Sequence, residues 1–228
     1  MLEQALQWLG FGLCHQLPER SFFGGSLQLP VCARDTGIYL GFVFALIALR
    51  LVDRGRRSSE PPPLSSTLVL IALIGAMAID GLTSYAGLRE TSNDLRLITG
   101  LAAGFGIAGL VYPMLNGQLW RNLGYDRVLG RASELAGFLV AIPLSFAITK
   151  WVLPLLAEGY ALLTAFTIIV TFASVNLVLV CLLPPFERKA QRLRDAWLPI
   201  LLALALTGVQ LVLASLLRWQ MLKLAGLL

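Results

Sequence analysis

Long apolar runs dominate the chain, and short polar segments separate them. Six of these runs approach the roughly 20 residues that a helix needs to cross a bilayer. They are too long for strands, and they lack the alternation of apolar and polar positions that a half-buried strand shows. The pattern therefore predicts six transmembrane helices, at residues 36–52, 66–85, 95–115, 135–155, 160–183 and 197–217.

The expected fold class is all-α, a polytopic membrane helical bundle of about six transmembrane helices. Residues 2–13 are too short to span a bilayer, so we expect a short interfacial or re-entrant helix there. We treat residues 1–228 as a single transmembrane domain, with a motif-bearing half at 1–116 and a scaffold half at 117–228. Residues 54–65 contain three consecutive prolines and are expected to form a flexible linker.

Composition supports a membrane protein. Hydrophobic residues make up 57% of the chain, charged residues 14%, and the mean hydropathy is +0.76. A soluble domain carries about 25% charged residues, so part of this apolar surface should face lipid. The same figures exclude a disordered chain, and the 3 cysteines are too few for a disulfide scaffold.

The net charge of +5 is unevenly distributed along the chain. Most lysines and arginines follow the first, third and fifth runs, which alternating spans place on one side. The positive-inside rule puts these loops in the cytoplasm and both termini outside, in a multi-pass protein of the cell membrane. Because the basic residues form short clusters beside the spans, we expect contacts with membrane lipids and no nucleic acid.

Candidate metal ligands collect on the side opposite the basic loops. Cys14 and His15 precede the first span, and Cys32 and Asp35 lead into it. Two sulfurs, a nitrogen and an oxygen suit a divalent metal such as zinc. The same residues also fit a Cys14–Cys32 disulfide, cysteines that are simply buried, or a Cys14 thiol nucleophile beside His15.

Three stretches carry a family resemblance: CHQLPERSFF, LPVCARDTGIYLGF and IDGLTSYAGLRETSNDLRLITGLAAG. Together they resemble a family of bacterial and archaeal predicted membrane proteins, domain-of-unknown-function family 2085, over the chain to about Gly104. The family pattern reads Cys-x-x-Cys where this chain has Cys32-Ala33-Arg34-Asp35. The resemblance implies a membrane protein with a shared site, but it implies no reaction.

Asp80 is an ionisable group inside the second run, and such groups are costly in a membrane and usually functional. It serves either as a catalytic base or further ligand, or as the ion-pair partner of Arg89, Arg96 or Arg34.

Arginines flank the start of the third run. Arg89, Asn93 and Arg96 have the spacing that places residues on one face of a helix. Thr91, Ser92 or Asn93 is expected to cap that helix. With Arg20 and Arg34, these side chains form a candidate site for an anionic group. The alternative is that Glu90 and Asp94 already neutralise them.

These residues favour an enzyme, a hydrolase or transferase acting on an anionic lipid-like substrate. Its candidate catalytic residues are Asp80, His15 and Cys14. One alternative is a transporter or flippase for an anionic lipid or small solute, with Asp80 on its path. Another is a non-catalytic assembly or sensor protein in which the cluster is a structural staple. A homo-oligomer is compatible with each.

Small residues and amides in the later runs predict helix packing. Gly37/Gly41 and Gly100/Gly104 are GxxxG pairs that let helices approach closely. The GxGxxG match at residues 104–109 lies in an apolar run, so it predicts a packing stripe rather than a nucleotide site. Asn176 and Gln210 are expected to hydrogen-bond between helices.

Overall fold

The computed structural model describes residues 1–226 as an α-helical bundle with two small two-stranded sheets. Six helices are long and apolar enough to cross a membrane, as the hydrophobic pattern predicted. In chain order the elements are α1 (Leu2–Phe11), β1 (Ser21–Gly24), β2 (Leu27–Cys32), α2 (Ala33–Val52), β3 (Ser58–Glu60), α3 (Leu64–Tyr85), α4 (Asn93–Leu119), β4 (Gly124–Arg127), α5 (Ala132–Ala147), α6 (Glu158–Cys181) and α7 (Trp197–Leu224). A π-helical turn and a 3₁₀ turn extend α5 to Leu156.

Helices α2 and α4 pack with their backbones in direct contact. A Cβ atom at Gly100 would overlap the carbonyl oxygen of Arg34, and one at Gly104 would overlap that of Ile38. Gly37 and Gly41 of α2 face the backbone around Leu101 in the same way. The two predicted GxxxG pairs therefore face each other, and they hold the first turns of both helices at the same end of the bundle.

The GxGxxG stretch lies inside α4, as expected for a packing stripe. Gly106 and Gly109 lie against Leu70 of α3. The predicted amide contacts also form, because the Asn176 amide of α6 donates to Thr207 Oγ1 at 2.9 Å and to Gln210 Oε1 at 2.8 Å. Thr207 and Gln210 belong to α7.

The three basic loops meet at one end of the bundle, which we call the basic end. β3 pairs in parallel with β4, Trp120 forms a β-bridge with Ala190, and the Arg57 guanidinium lies 4.0 Å from the centroid of the Trp120 ring. The predicted grouping of these loops is therefore correct. Their placement in the cytoplasm, with both termini outside, stays a prediction.

The expected flexible linker at residues 54–65 is wrong. β3 lies within it, and the buried carboxylate of Asp53 accepts hydrogen bonds from the backbone N–H and the hydroxyl of Ser58. Tyr112 donates to the same carboxylate at 3.1 Å, and Asn116 donates to the Ser58 carbonyl at 2.9 Å. The prolines do exclude helix, but these contacts order the segment until α3 begins.

An antiparallel hairpin of β1 and β2 joins the short helix α1 to α2. Gly25 forms its turn with φ of +61°, a conformation that glycine adopts without strain. Arg218 near the end of α7 donates to the carbonyls of Phe11 and Cys14, so the end of α1 is tied to α7. The hairpin and this tie place Cys14 beside the start of α2.

We predict that Gly104→Ala destabilises the protein by about 1–3 kcal/mol, because the added methyl group must push α2 away from α4. Gly75→Ala on α3 is the matched control, since a Cβ there would meet nothing within 4 Å. It should be neutral or slightly stabilising, because alanine favours helix. Thermal unfolding of the two variants in detergent tests this, and equal midpoints would contradict the close contact.

Candidate functional site

Cys14, Cys32 and Asp35 form a compact cluster at the end opposite the basic loops. Cys14 follows α1, Cys32 ends β2 and precedes α2, and Asp35 lies in the first turn of α2. One sulfur from each cysteine and one carboxylate oxygen all lie within 4.8 Å of one another. The backbone N–H of Cys32 donates to Cys14 Sγ at 3.2 Å, and the Cys32 thiol donates to Asp35 Oδ2 at 3.3 Å. Both cysteines are free thiols.

The two thiols have different proton affinities. Hydrogen bonding from the Cys32 side chain lowers the pKa of Cys14, although burial opposes the shift. The same contact raises the pKa of Cys32 above its usual range, and burial and the nearby Asp35 carboxylate add to the increase. Of the pair, Cys14 is therefore the one that forms a thiolate more readily.

A small cavity of about 90 Å³ lies beside the cluster. Its wall combines the two cysteines with side chains from the segment between α1 and the hairpin and from α2, α3 and α4. The lining residues are Cys14, His15, Gln16, Leu17, Arg20, Cys32, Arg34, Tyr85 and Arg96. Three of these are arginines, so the cavity is strongly cationic.

His15 lines this cavity but is not a member of the Cys14, Cys32 and Asp35 cluster. Its side chain is exposed. The structure thus brings together three of the four candidate metal ligands. The role of His15 as a ligand or catalytic group stays a prediction.

Asp80 is almost completely buried near the end of α3 and is surrounded by donors. Arg34 donates to its Oδ2 from Nη2 at 2.5 Å and from Nε at 3.0 Å. Arg89 donates to its Oδ1 from Nη2 at 2.5 Å. Thr99 adds a hydroxyl at 3.3 Å. These contacts favour the ion-pair interpretation of Asp80 over the catalytic one, because two guanidiniums neutralise the carboxylate.

Arg96 and Asn93 lie on the first turns of α4, which Ser92 caps by accepting a hydrogen bond from the N–H of Leu95 at 3.2 Å. Arg96 is buried and donates to Asn93 Oδ1 at 3.0 Å. The amide of Asn93 donates to the Glu19 carbonyl at 3.2 Å, which ties α4 to the segment before the hairpin.

Arg89 is not on the same helix as Asn93 and Arg96. The helix begins at Asn93, and Gly87, with φ of +69°, lies in the loop that carries Arg89. The expected common helical face was therefore wrong for Arg89, which instead reaches Asp80 from the loop.

The cavity arginines are not neutralised by the acids that follow the second span. Asp94 pairs with Lys150 at 2.5 Å rather than with Arg96. Within residues 1–226, no carboxylate lies within 4.0 Å of the guanidinium nitrogens of Arg20 or Arg96. Two guanidiniums at the cavity therefore keep an unbalanced positive charge.

Sequence reasoning missed three contributors to this region. Gln16 donates to the carbonyls of Gln7 and Pro30, both at 2.8 Å, and so fixes the residues after Cys14. Tyr85 closes one wall of the cavity. Arg218 holds the Cys14 carbonyl from the opposite half of the chain. The one available signal was that Arg218 is a charge at the end of a leucine-rich run.

The six apolar helices and their packing define a multi-pass integral membrane protein of the helical-bundle class. The chain belongs to the family described as Predicted membrane protein (DUF2085), whose model matches residues 14–110. An uncharacterized protein of Methanocaldococcus jannaschii is 38% identical over 110 residues, which are 48% of this chain and 68% of the relative.

A second relative, an uncharacterized protein of Methanothermobacter thermautotrophicus, is 42% identical over 101 residues, or 43% of this chain and 83% of the relative. No solved structure matches the chain. The matched segment contains every residue of the cluster and all three cavity arginines, so the site lies within the part of the chain that defines the family.

We predict that Asp80→Asn destabilises the protein by about 3–5 kcal/mol, because it leaves buried Arg34 without its counter-charge. Asp94→Asn is the matched control, since its pair with Lys150 is half exposed and should contribute less than about 1 kcal/mol. Equilibrium unfolding of both variants in detergent measures the difference. Similar losses for the two would contradict the importance of the buried pair.

The lowered pKa of Cys14 predicts a specific pH profile for alkylation. Only the thiolate reacts, so the rate with a small maleimide should reach half its maximum below pH about 8.5, the usual cysteine value. Cys32→Ala removes the side-chain donor and should move the midpoint upward. Peptide mass spectrometry identifies the labelled cysteine, and an unchanged midpoint would contradict the role of Cys32.

Proposed function

We propose that the protein is a metal-dependent membrane enzyme, a hydrolase or transferase that acts on an anionic lipid-like substrate. The observation that supports this most directly is the grouping of Cys14, Cys32 and Asp35 within 4.8 Å, on the wall of a cavity that arginines also line. A metal-binding set and an anion-binding set thus share one small space.

The ligand set favours zinc. Two cysteine sulfurs and a carboxylate oxygen are ligands that zinc accepts, and catalytic zinc sites commonly have three protein ligands with one open position. The lowered pKa of Cys14 favours the thiolate that a metal requires. His15, on the same cavity wall, is the candidate for the fourth position in a closed site, or for proton transfer in an open one.

The arginines suit the anionic part of a substrate. Within residues 1–226, Arg20 and Arg96 have no carboxylate partner, and guanidiniums bind phosphate or carboxylate groups with paired hydrogen bonds. A volume of about 90 Å³ accepts such a group but not a whole lipid. The remainder of the substrate would lie outside the cavity, beside exposed Leu17 and Tyr85 at the end of the bundle.

Each residue then has a definite role. A bound metal ion would polarise the substrate and activate water. Arg20 and Arg96 would bind and orient the anionic group. Asp80 would act as a positioning residue, because it holds Arg34 and Arg89 in place through buried ion pairs.

A thiol-dependent enzyme is the second candidate, and the lowered pKa of Cys14 favours it. In that case Cys14 would attack the substrate directly, and no metal would be needed. Metal analysis separates the two candidates.

We predict that the purified protein binds zinc in a 1:1 ratio and that Cys32→Ser or Asp35→Asn abolishes this binding, because two ligands cannot replace three. Cys181→Ser is the matched control, since Cys181 is buried in α6 outside the cluster. Elemental analysis after dialysis measures the ratio. Protein that remains folded and takes up no zinc would overturn the metal proposal, and activity without zinc that is lost in Cys14→Ser would favour the thiol.

A further inference from the structure

A second cavity, of about 560 Å³, lies at the basic end, far along the helices from the cysteine cluster. We call it the α4–α6 crevice. Its apolar wall consists of Leu110, Pro113 and Met114 of α4 with Val178 of α6 and Leu182 just after it. Met114 and Leu182 are each 54% exposed, so the crevice opens to the surroundings of two membrane-spanning helices.

The polar end of the crevice contains a buried group without a partner. Gln118 lies in the last turn of α4, and its Oε1 atom is buried and forms no hydrogen bond within the described chain. An acceptor in this state is costly, and more so beside a bilayer, where water is scarce. Gln118 also lines the crevice, so a ligand that brings a hydrogen-bond donor there would satisfy this oxygen once the amide turns it toward the cavity.

Arg188 supplies a positive charge at the same end of the crevice. Its backbone N–H donates to the Gln118 carbonyl at 2.8 Å, and its Nε donates to the Gly117 carbonyl at 3.1 Å. These two bonds fasten Arg188 to the last turn of α4, where its side chain lines the crevice together with that of Gln118. Within residues 1–226 its carboxylate contact is with exposed Glu187, whose Oε1 lies 3.8 Å from Nε. The remaining N–H groups form no hydrogen bond to protein atoms there, so they can bind a phosphate.

We propose that the α4–α6 crevice binds a phospholipid whose headgroup carries hydrogen-bond donors, as the primary ammonium of phosphatidylethanolamine does. An acyl chain lies along Leu110, Met114 and Leu182, the phosphate contacts Arg188, and the headgroup donor bonds to Gln118 Oε1. The crevice thus combines an apolar wall, a cation and a buried acceptor, which match the chain, the phosphate and the donor of such a lipid. This site is separate from the cysteine cluster and does not depend on the proposed enzyme activity.

Two lipids with identical acyl chains test the proposal. Phosphatidylethanolamine and phosphatidylcholine both carry a phosphate and a positive nitrogen, but only the first has N–H donors. Native mass spectrometry of the full chain in detergent, with each lipid titrated in, should show phosphatidylethanolamine binding about five-fold more tightly. Equal binding of the two lipids by the wild-type protein would overturn the proposal.

Three variants assign the contacts. Gln118→Leu should abolish the preference while phosphatidylcholine binding persists, and Arg188→Gln should weaken both lipids about five- to ten-fold. Arg121→Gln is the control, because Arg121 is exposed at the basic end but does not line the crevice. A preference that survives in Gln118→Leu would overturn the assignment of the acceptor. Should Arg188→Gln unfold, Met114→Trp fills the crevice instead, and lipid binding that is unchanged in that variant would overturn the location.

Discussion

The direct backbone contact between α2 and α4 is the constraint on which the polar end depends. Lipid does not drive helices together as water does, so close packing of small residues supplies much of the association. Here glycines on both helices bring the carbonyl of Arg34 against Gly100. The first turn of α2, with Asp35, therefore lies beside the first turn of α4, with Arg96. Larger residues at these glycines would separate Asp35 from Arg96.

Charge balance completes the arrangement that packing begins. Asp80 is buried in α3 and joins Arg34 of α2 to Arg89 of the α3–α4 loop. A buried charge is tolerated when it is paired and hydrogen-bonded, and Asp80 is both. The carboxylate of Asp80 is already paired with Arg34 and Arg89. It therefore does not neutralise Arg20 and Arg96, which make the nearby cavity cationic. The same carboxylate thus links three segments, while the two remaining arginines give the cavity its positive charge.

The features that depend on local sequence could be predicted. Length and hydropathy predict the spans, and the glycine spacing predicts close helix packing, although not that α2 and α4 are the partners. The choice among partners for Asp80 could not be made, because it depends on distances between separate segments. The hairpin that brings Cys32 to Cys14 and the network around Asp53 also escaped prediction. Both depend on pairings between residues whose side chains and turns carry no periodic signal, and the contact from Arg218 spans 204 residues.

The parallel pairing of β3 with β4 has a mechanical consequence. Together with the Trp120–Ala190 bridge, it fastens the loops after α2, α4 and α6 to one another. Helices that are joined at one end of a bundle can separate only at the other end. Carriers that expose a central site to each side in turn need both ends to part. In this protein, opening the basic end would first require the hydrogen bonds between β3 and β4 to break.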